Sequence, residues 1–283
     1  MSEGPEASSV VLITGTSSGI GLQAAIAAAV AGHTVVATMR DLERAGALLE
    51  AAAAAGVTLD IRHLDVTQPQ SVTDVVAGVV DEHGRLDAVI NNAGAGHVGT
   101  IERESVDDVR GVMEVNFFGV VMVTQAALPH LRTSRGRLIT VTSVGGVVGQ
   151  PFNEAYCAAK FAVEGFMESL APVAAGAGVS VTVVEPAAVA SAFISNVGLD
   201  QVETIAADEV YGAALRAYLE RASASFSSAQ PADEAGRVIA ALLDGDAPAF
   251  RLQTSDAARQ FVGVKLADLD GSVVQRMTGS WLV

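Results

Sequence analysis

The run Val10-Val11-Leu12-Ile13-Thr14-Gly15-Thr16-Ser17-Ser18-Gly19-Ile20-Gly21 decides how the rest of the chain is read. Val10 to Ile13 is aliphatic without alternation, the pattern of a strand covered on both faces. A glycine-rich turn follows at once, and then an alanine-rich helix from Gly21 to Val30. Glycines at such a junction let the backbone turn sharply and approach a pyrophosphate, whose charge the helix N-terminus stabilises. The spacing Gly-x-x-x-Gly-x-Gly is one residue longer than the usual dinucleotide fingerprint. The alternative is a strand-to-helix turn without a ligand.

Outward from this unit the same rhythm repeats. Strands are expected at Thr34 to Met39, Thr58 to His63, Ala88 to Asn91, Arg137 to Thr142 and Val179 to Val184. Helices are expected at Arg44 to Ala55, Val106 to Leu131 and Glu154 to Ala175. Buried strands alternating with helices predict a doubly wound α/β fold, a Rossmann-type parallel sheet. The expectation is a single domain over 10–254, with a flexible N-terminus at 1–9. Residues 191–230 suit a helical excursion covering the substrate. Pro231 to Leu243 reads as a helix, Ala249 to Gln253 as a last strand, and the tail 255–283 has no evident place.

Composition narrows the function. Lys and Arg number 17 against 32 Asp and Glu, a net charge of -15, which repels phosphate backbones and argues against nucleic acid as a partner. The lone cysteine, Cys157, allows no intrachain disulfide and no Cys-based zinc site, and His33, His63, His83 and His130 lack metal-ligand spacing, so no metal is expected. The apolar runs read as interrupted short of a membrane span, and the first residues lack a secretory signal. A soluble cytoplasmic protein is expected.

The second strand ends Ala37-Thr38-Met39-Arg40. Met39 cannot accept from a ribose 2′-hydroxyl, whereas Arg40 can pair with a 2′-phosphate, so NADP(H) is the expected cofactor, with Asp41 a competing carboxylate. Tyr156 and Lys160 are four apart on one helical face, where an ammonium would lower the phenol's pKa and make it a usable acid or base. Ser143 lies at the carboxyl edge of its strand, where ligands bind in such sheets. Asn116 sits in an otherwise apolar helix, where an amide needs a partner or a function. Each alone has an ordinary structural reading. Their combination behind a phosphate turn does not.

These motifs, together with Asn91-Asn92-Ala93-Gly94, resemble the short-chain dehydrogenase/reductase family in order and spacing over Val10 to about Asn196. Arg40-Asp41-Leu42, Ser143-Val144-Gly145-Gly146 and Pro151 to Ala162 look like its hydroxysteroid and retinol dehydrogenase branch. The resemblance implies Tyr156 as general acid/base, Ser143 polarising the substrate carbonyl, Lys160 holding the nicotinamide ribose, and Asn116 anchoring a relay water. It also implies Asp65 and Val66 at the adenine, Asn92, Ala93 and Gly94 under the cofactor, and Ser17 with Arg40 near the 2′-phosphate. A bulky apolar ketone or alcohol would be the substrate, and the protein would be a homodimer or homotetramer.

One departure stands out. Much of the family has Pro-Gly-x-Val-x-Thr after the sixth strand, at the nicotinamide amide. Here Pro186-Ala187-Ala188-Val189-Ala190-Ser191 keeps Val189 and offers Ser191, but places a Cβ at Ala187. A redox-silent dinucleotide-binding protein therefore stays open as a second reading, and an epimerase or lyase on the same fold as a third. At the substrate, Val144 accompanies Ser143. His97 either reaches the pocket or is a solvated loop residue, and Phe152 and Phe193 either flank the pocket or are core.

Overall fold

Both faces of the first strand are covered, which is why it lacks polar alternation. The computed structural model describes residues 8–190, 199–246 and 248–282. In chain order, β1 (Val10–Thr14), α1 (Gly19–Val30), β2 (Thr34–Met39), α2 (Gly46–Ala55) and β3 (Asp60–His63) form the first half. Then come α3 (Pro69–His83), β4 (Ala88–Asn91), α4 (Val106–Met113), α5 (Gly119–Ser134), β5 (Arg137–Val141), α6 (Glu154–Gly176) and β6 (Ser180–Glu185). The remainder holds β7 (Val189–Ala190), α7 (Leu199–Ala206), α8 (Gly212–Ser227), β8 (Gln230–Pro231), α9 (Ala232–Ala240), β9 (Arg251–Gln253), α10 (Asp256–Leu266) and α11 (Ser272–Gly279).

The main sheet has seven strands in the order β3-β2-β1-β4-β5-β6-β9, and every neighbouring pair is parallel. The chain builds outward from β1 to β3, returns, and builds the other way from β4. The crevice between β1 and β4 is thus the switch point at which such sheets take ligands. One face is packed by α3, α5 and α6 through Val76, Val123, Leu131 and Met167; the other by α1, α2 and α9 through Ala24, Ala25, Leu48 and Ile239. Alanines on α1 allow close approach to α9, where a Cβ on Gly236 would lie 2.6 Å from Gln23.

Several expectations are corrected. The single helix expected over Val106 to Leu131 is interrupted by a π-helical turn, Glu114–Phe118, centred on Asn116. The expected shortage of long apolar runs also fails. Val106–Ser134 is long and apolar enough, at a mean hydropathy of 1.4, to cross a membrane by length and composition. Its buried side chains Val120, Val123, Ala127 and Leu131 pack on the sheet. The tail folds as α10, α11 and a final turn, Ser280–Leu282. Phe261 and Trp281 of this tail join Val98, Phe152, Leu215 and Tyr218 in an apolar cluster over the strands' carboxyl ends.

Candidate active site

A cleft of about 1430 Å³ lies outside the carboxyl edge of the sheet. At its floor β1 runs into Gly15, whose φ of +71° suits only glycine, and a Cβ there would fall 2.7 Å from Ala93 Cα. Gly19 also has positive φ, and a Cβ on Gly21 would sit 2.3 Å from both Asn92 Nδ2 and Gly15 O. Asn92 Nδ2 donates to Thr14 O and Gly15 O at 3.0 and 2.9 Å, locking the β4 turn onto the β1 turn. Ser18 makes no side-chain capping bond, so the first N–H groups of α1 are left for an anion. The glycine cradle and the uncapped helix fit a dinucleotide pyrophosphate.

Ser17, Ser18, Ile20, Arg40, Asp65, Val66, Asn92, Ala93 and Gly94 all line this cleft. Thr16 does not. It is buried, with its amide and hydroxyl both donating to Thr38 O (2.9 and 3.1 Å), and it fastens the turn to β2. Asp41 also lines the cleft and caps the following turn, its Oδ1 accepting from Glu43 N at 3.0 Å. Arg44, which the sequence reading missed, lines the cleft beside Arg40. Asp65 accepts from the amide and hydroxyl of Thr67 at 2.9 and 2.8 Å.

The catalytic candidates converge where β5, α6 and the α4–α5 segment meet. Ser143 follows β5, and its hydroxyl accepts from Gly145 N at 2.9 Å. A hydrogen bond joins it to Tyr156, which burial pushes well above the ordinary phenol range. Burial is the larger effect, which the Ser143 hydrogen bond opposes and Cys157 reinforces. The Lys160 Nζ lies 5.8 Å from the Tyr156 ring centroid and donates to Val141 O at 3.3 Å. Burial lowers Lys160 itself to about 8, against the attraction of Glu164.

Asn116 is fully buried. Its Nδ2 donates to Ala95 O and Val112 O, both at 3.1 Å, and its Oδ1 accepts from Ala95 N at 3.2 Å. This leaves one Oδ1 lone pair for a water. Val112 O lies one turn before Asn116, so the amide fastens the segment in which the π turn falls.

Of the remaining candidates, Val144 and Val189 line the cleft. Ala187 does too, and it has no left-handed φ; its Cβ packs against the cluster of Val144, Val147 and Val148. The departure from glycine is therefore accommodated without strain. His97 lines the cleft and bonds through Nε2 to buried Glu104, so it is not a solvated loop residue. Phe152 does not line the cleft: it is 5% exposed, holds a left-handed φ of 56°, and its ring packs 5.8 Å from Tyr218. Ser191 and Phe193 lie outside the described residues.

Sequence reasoning missed the upper wall, formed by Gln150, Asn153, Tyr218, Phe261 and Trp281. Asn153 falls within the Pro151 to Ala162 stretch, but no motif marks the others, which tertiary packing brings to the same cleft as Tyr156. It also missed a charged cluster behind Lys160. Glu164 accepts from Thr142 Oγ1 at 2.5 Å, and Arg251 of β9 lies 3.3 Å from Glu164 and 3.2 Å from Glu185. Burial pushes Glu164 up to about 7; the Thr142 bond opposes this and repulsion from Glu185 adds to it. On the opposite edge Asp60, Glu82 and His83 come together, but Arg62 donates to both acids at 2.5 and 2.6 Å and takes the place a cation would.

Comparison with known proteins agrees with this geometry. The family model described as short chain dehydrogenase matches residues 9–201. The chain is 37% identical over 273 residues to estradiol 17-beta-dehydrogenase 1 of Rattus norvegicus, covering 94% of this chain and 79% of that protein. It is 36% identical over 281 residues to retinol dehydrogenase 8 of Bos taurus, covering 96% and 89%. The structure of actinorhodin polyketide ketoreductase with NADPH superposes with a TM-score of 0.74 at 28% identity, covering 87% of this chain and 95% of that one. With its parallel sheet, glycine cradle and Ser143–Tyr156–Lys160 constellation, the chain belongs to the short-chain dehydrogenase family of oxidoreductases.

Proposed function

We propose that the chain is an NADP(H)-dependent ketone reductase or hydroxyl dehydrogenase for a bulky, largely apolar substrate. The carrying observation is one continuous cleft, whose lining runs from Arg40 and Arg44 past Tyr156 to Phe261 and Trp281. It is larger than an ordinary small-ligand pocket and has room for a dinucleotide and a substrate together. Arg40 and Arg44, with one Asp41 oxygen capping its turn, favour a 2′-phosphate. The ketoreductase relative that carries NADPH supports the same choice.

When bound, the nicotinamide supplies the hydride. The residues of the chain do the rest. Ser143 orients the carbonyl oxygen. Tyr156, protonated at neutral pH because burial raises its pKa, donates to the developing alkoxide. The Lys160 ammonium stabilises the phenolate that this leaves. Asn116 fixes Ala95 and holds the relay water. Steroid- and retinoid-like ketones are the first substrates to test, since the two curated relatives are named for such compounds.

The exposed apolar side chains Val106, Phe118, Phe161 and Val173 on α4 to α6 suit a homodimer or homotetramer, which light scattering tests. A cytoplasmic location suits the single buried thiol of Cys157.

The functional test is consumption of NADPH and NADH with a panel of apolar ketones, run beside Tyr156→Phe. Tyr156-dependent oxidation of NADPH is expected. Preference for NADH overturns the Arg40 assignment. Absence of dinucleotide binding overturns the whole reading.

A further inference from the structure

The part of the cleft formed by α8 and the tail carries apolar side chains, including Leu219, Phe226, Phe261 and Trp281, beside serines such as Ser223 and Ser225, and one cation, Arg221. Its guanidinium lies 4.6 Å from the centroid of the Trp281 ring. Trp281 is 7% exposed and stacks on Phe261 at 6.0 Å and 23°. Among the described residues, no carboxylate pairs with Arg221 and no oxygen accepts from its guanidinium. Arg103, Arg110, Arg237 and Arg259 each hold an aspartate, whereas Arg40 and Arg44, at the nucleotide side of the same cleft, share with Arg221 the lack of a carboxylate partner among the described residues. In a chain with 32 acidic residues against 17 basic ones, a cation on a cleft wall with no acidic partner is open to an anionic ligand.

The chemistry supplies one. An aromatic face orients a planar guanidinium and keeps its in-plane N–H groups free, and these match a carboxylate in bidentate fashion. Arg221 lies three residues past Tyr218 on α8, about 4.5 Å further along the helix axis. The Tyr218 hydroxyl accepts from Asn153 at 2.7 Å, and Asn153 precedes the catalytic Tyr156 by three residues. The wall between the proton donor and the cation thus runs through Asn153 and Tyr218, with Leu219 and Ala222 beside them.

We infer that Arg221, held against Trp281, is a binding subsite for a carboxylate at the far end of the substrate. The substrate is then an apolar oxo acid or hydroxy acid and not a wholly neutral ketone. This deepens the oxidoreductase reading and rests on it for the reacting end.

Trp281 is the only tryptophan in the chain, so its fluorescence reports on this subsite without any turnover. The full-length protein, saturated with NADP⁺, is titrated with a medium-chain oxo carboxylic acid and with its methyl ester. The acid is expected to bind about 10-fold or more tighter, the value of one charge-assisted contact. Arg221→Gln should bring that ratio close to one, and Arg221→Lys should keep part of it. Equal binding of acid and ester by the wild type overturns the inference without recourse to any variant. So does an unchanged ratio in Arg221→Gln. If Arg221→Gln instead weakens NADPH as much as the acid, the guanidinium serves the cofactor and the subsite is refuted. Retained acid preference with no NADPH oxidation on any ketone overturns only the oxidoreductase reading.

Discussion

The two halves of the cleft are built by opposite means. The nucleotide half is packed through its backbone: Gly15 against Ala93, and Gly21 against Gly15 O and the Asn92 amide, with no room for a methyl group. The half under α8 and the tail is side chain against side chain: Trp281 on Phe261, Phe152 on Tyr218. Backbone contacts tolerate almost no change in residue type, whereas side-chain contacts can be remade with other shapes. The first arrangement suits the dinucleotide proposed for it. The second can be reshaped for a substrate without disturbing the first.

The largest test of this contrast sits at the boundary. Tyr156→Phe should lower kcat about 10²–10⁴-fold, the range for losing a general acid, while NADPH affinity changes little. A matching loss of NADPH affinity would mean that the halves are not separable at Tyr156. Next, Arg40→Asp should reduce the NADPH-over-NADH preference in kcat/KM by about 10–10²-fold through loss of a charge-assisted phosphate contact. An unchanged ratio would move the phosphate site to Arg44.

A smaller effect separates the halves through stability alone. Gly21→Ala should cost about 1–3 kcal/mol from overpacking, because its Cβ would meet Gly15 O at 2.3 Å. Gly263→Ala, inside α10 with nothing within 4 Å, should stabilise by up to about 1 kcal/mol through helix propensity. Urea unfolding of both variants reads this directly, and similar destabilisation by both would erase the distinction.

The smallest effect concerns Glu164. Its folded pKa, about 7, lies above the ordinary 4.5, so between those values the folded state holds a proton that the unfolded chain releases. That contribution is present below pH 4.5 and is lost as the pH rises through 7. The thermal midpoint of wild type should therefore fall with pH across this window, relative to Glu164→Gln. Parallel pH profiles would show that Arg251 already neutralises the site.

Legibility in the sequence follows the same division. β1, the glycine turn, Ser143, Tyr156 and Lys160 were readable because local chain geometry imposes them: a turn that needs glycine, or a spacing of four on one helix face. Asn116 was readable as an anomaly, though not the π turn around it, since helix periodicity carries no mark of one extra residue in a turn. Arg44, Glu104, Tyr218, Arg221 and Trp281 were not readable. Each acquires its role from a neighbour far away in sequence, and the weakly patterned segments that carry them have no turn or period to announce it. Phe152 stayed open between pocket and core for a related reason. Its left-handed backbone turns the ring toward Tyr218, and nothing in Gln150-Pro151-Phe152-Asn153 requires that conformation.

The placement of β9 has a consequence for how the molecule assembles. This strand completes the sheet beside β6, yet it is made only after the entire lid. Until it docks, β6 presents an open hydrogen-bonding edge, and Glu164 and Glu185 lack the Arg251 that compensates them. On a ribosome, the nascent chain must therefore carry an unfinished edge and two uncompensated acids through the synthesis of more than sixty residues, about 3–12 s at ordinary elongation rates.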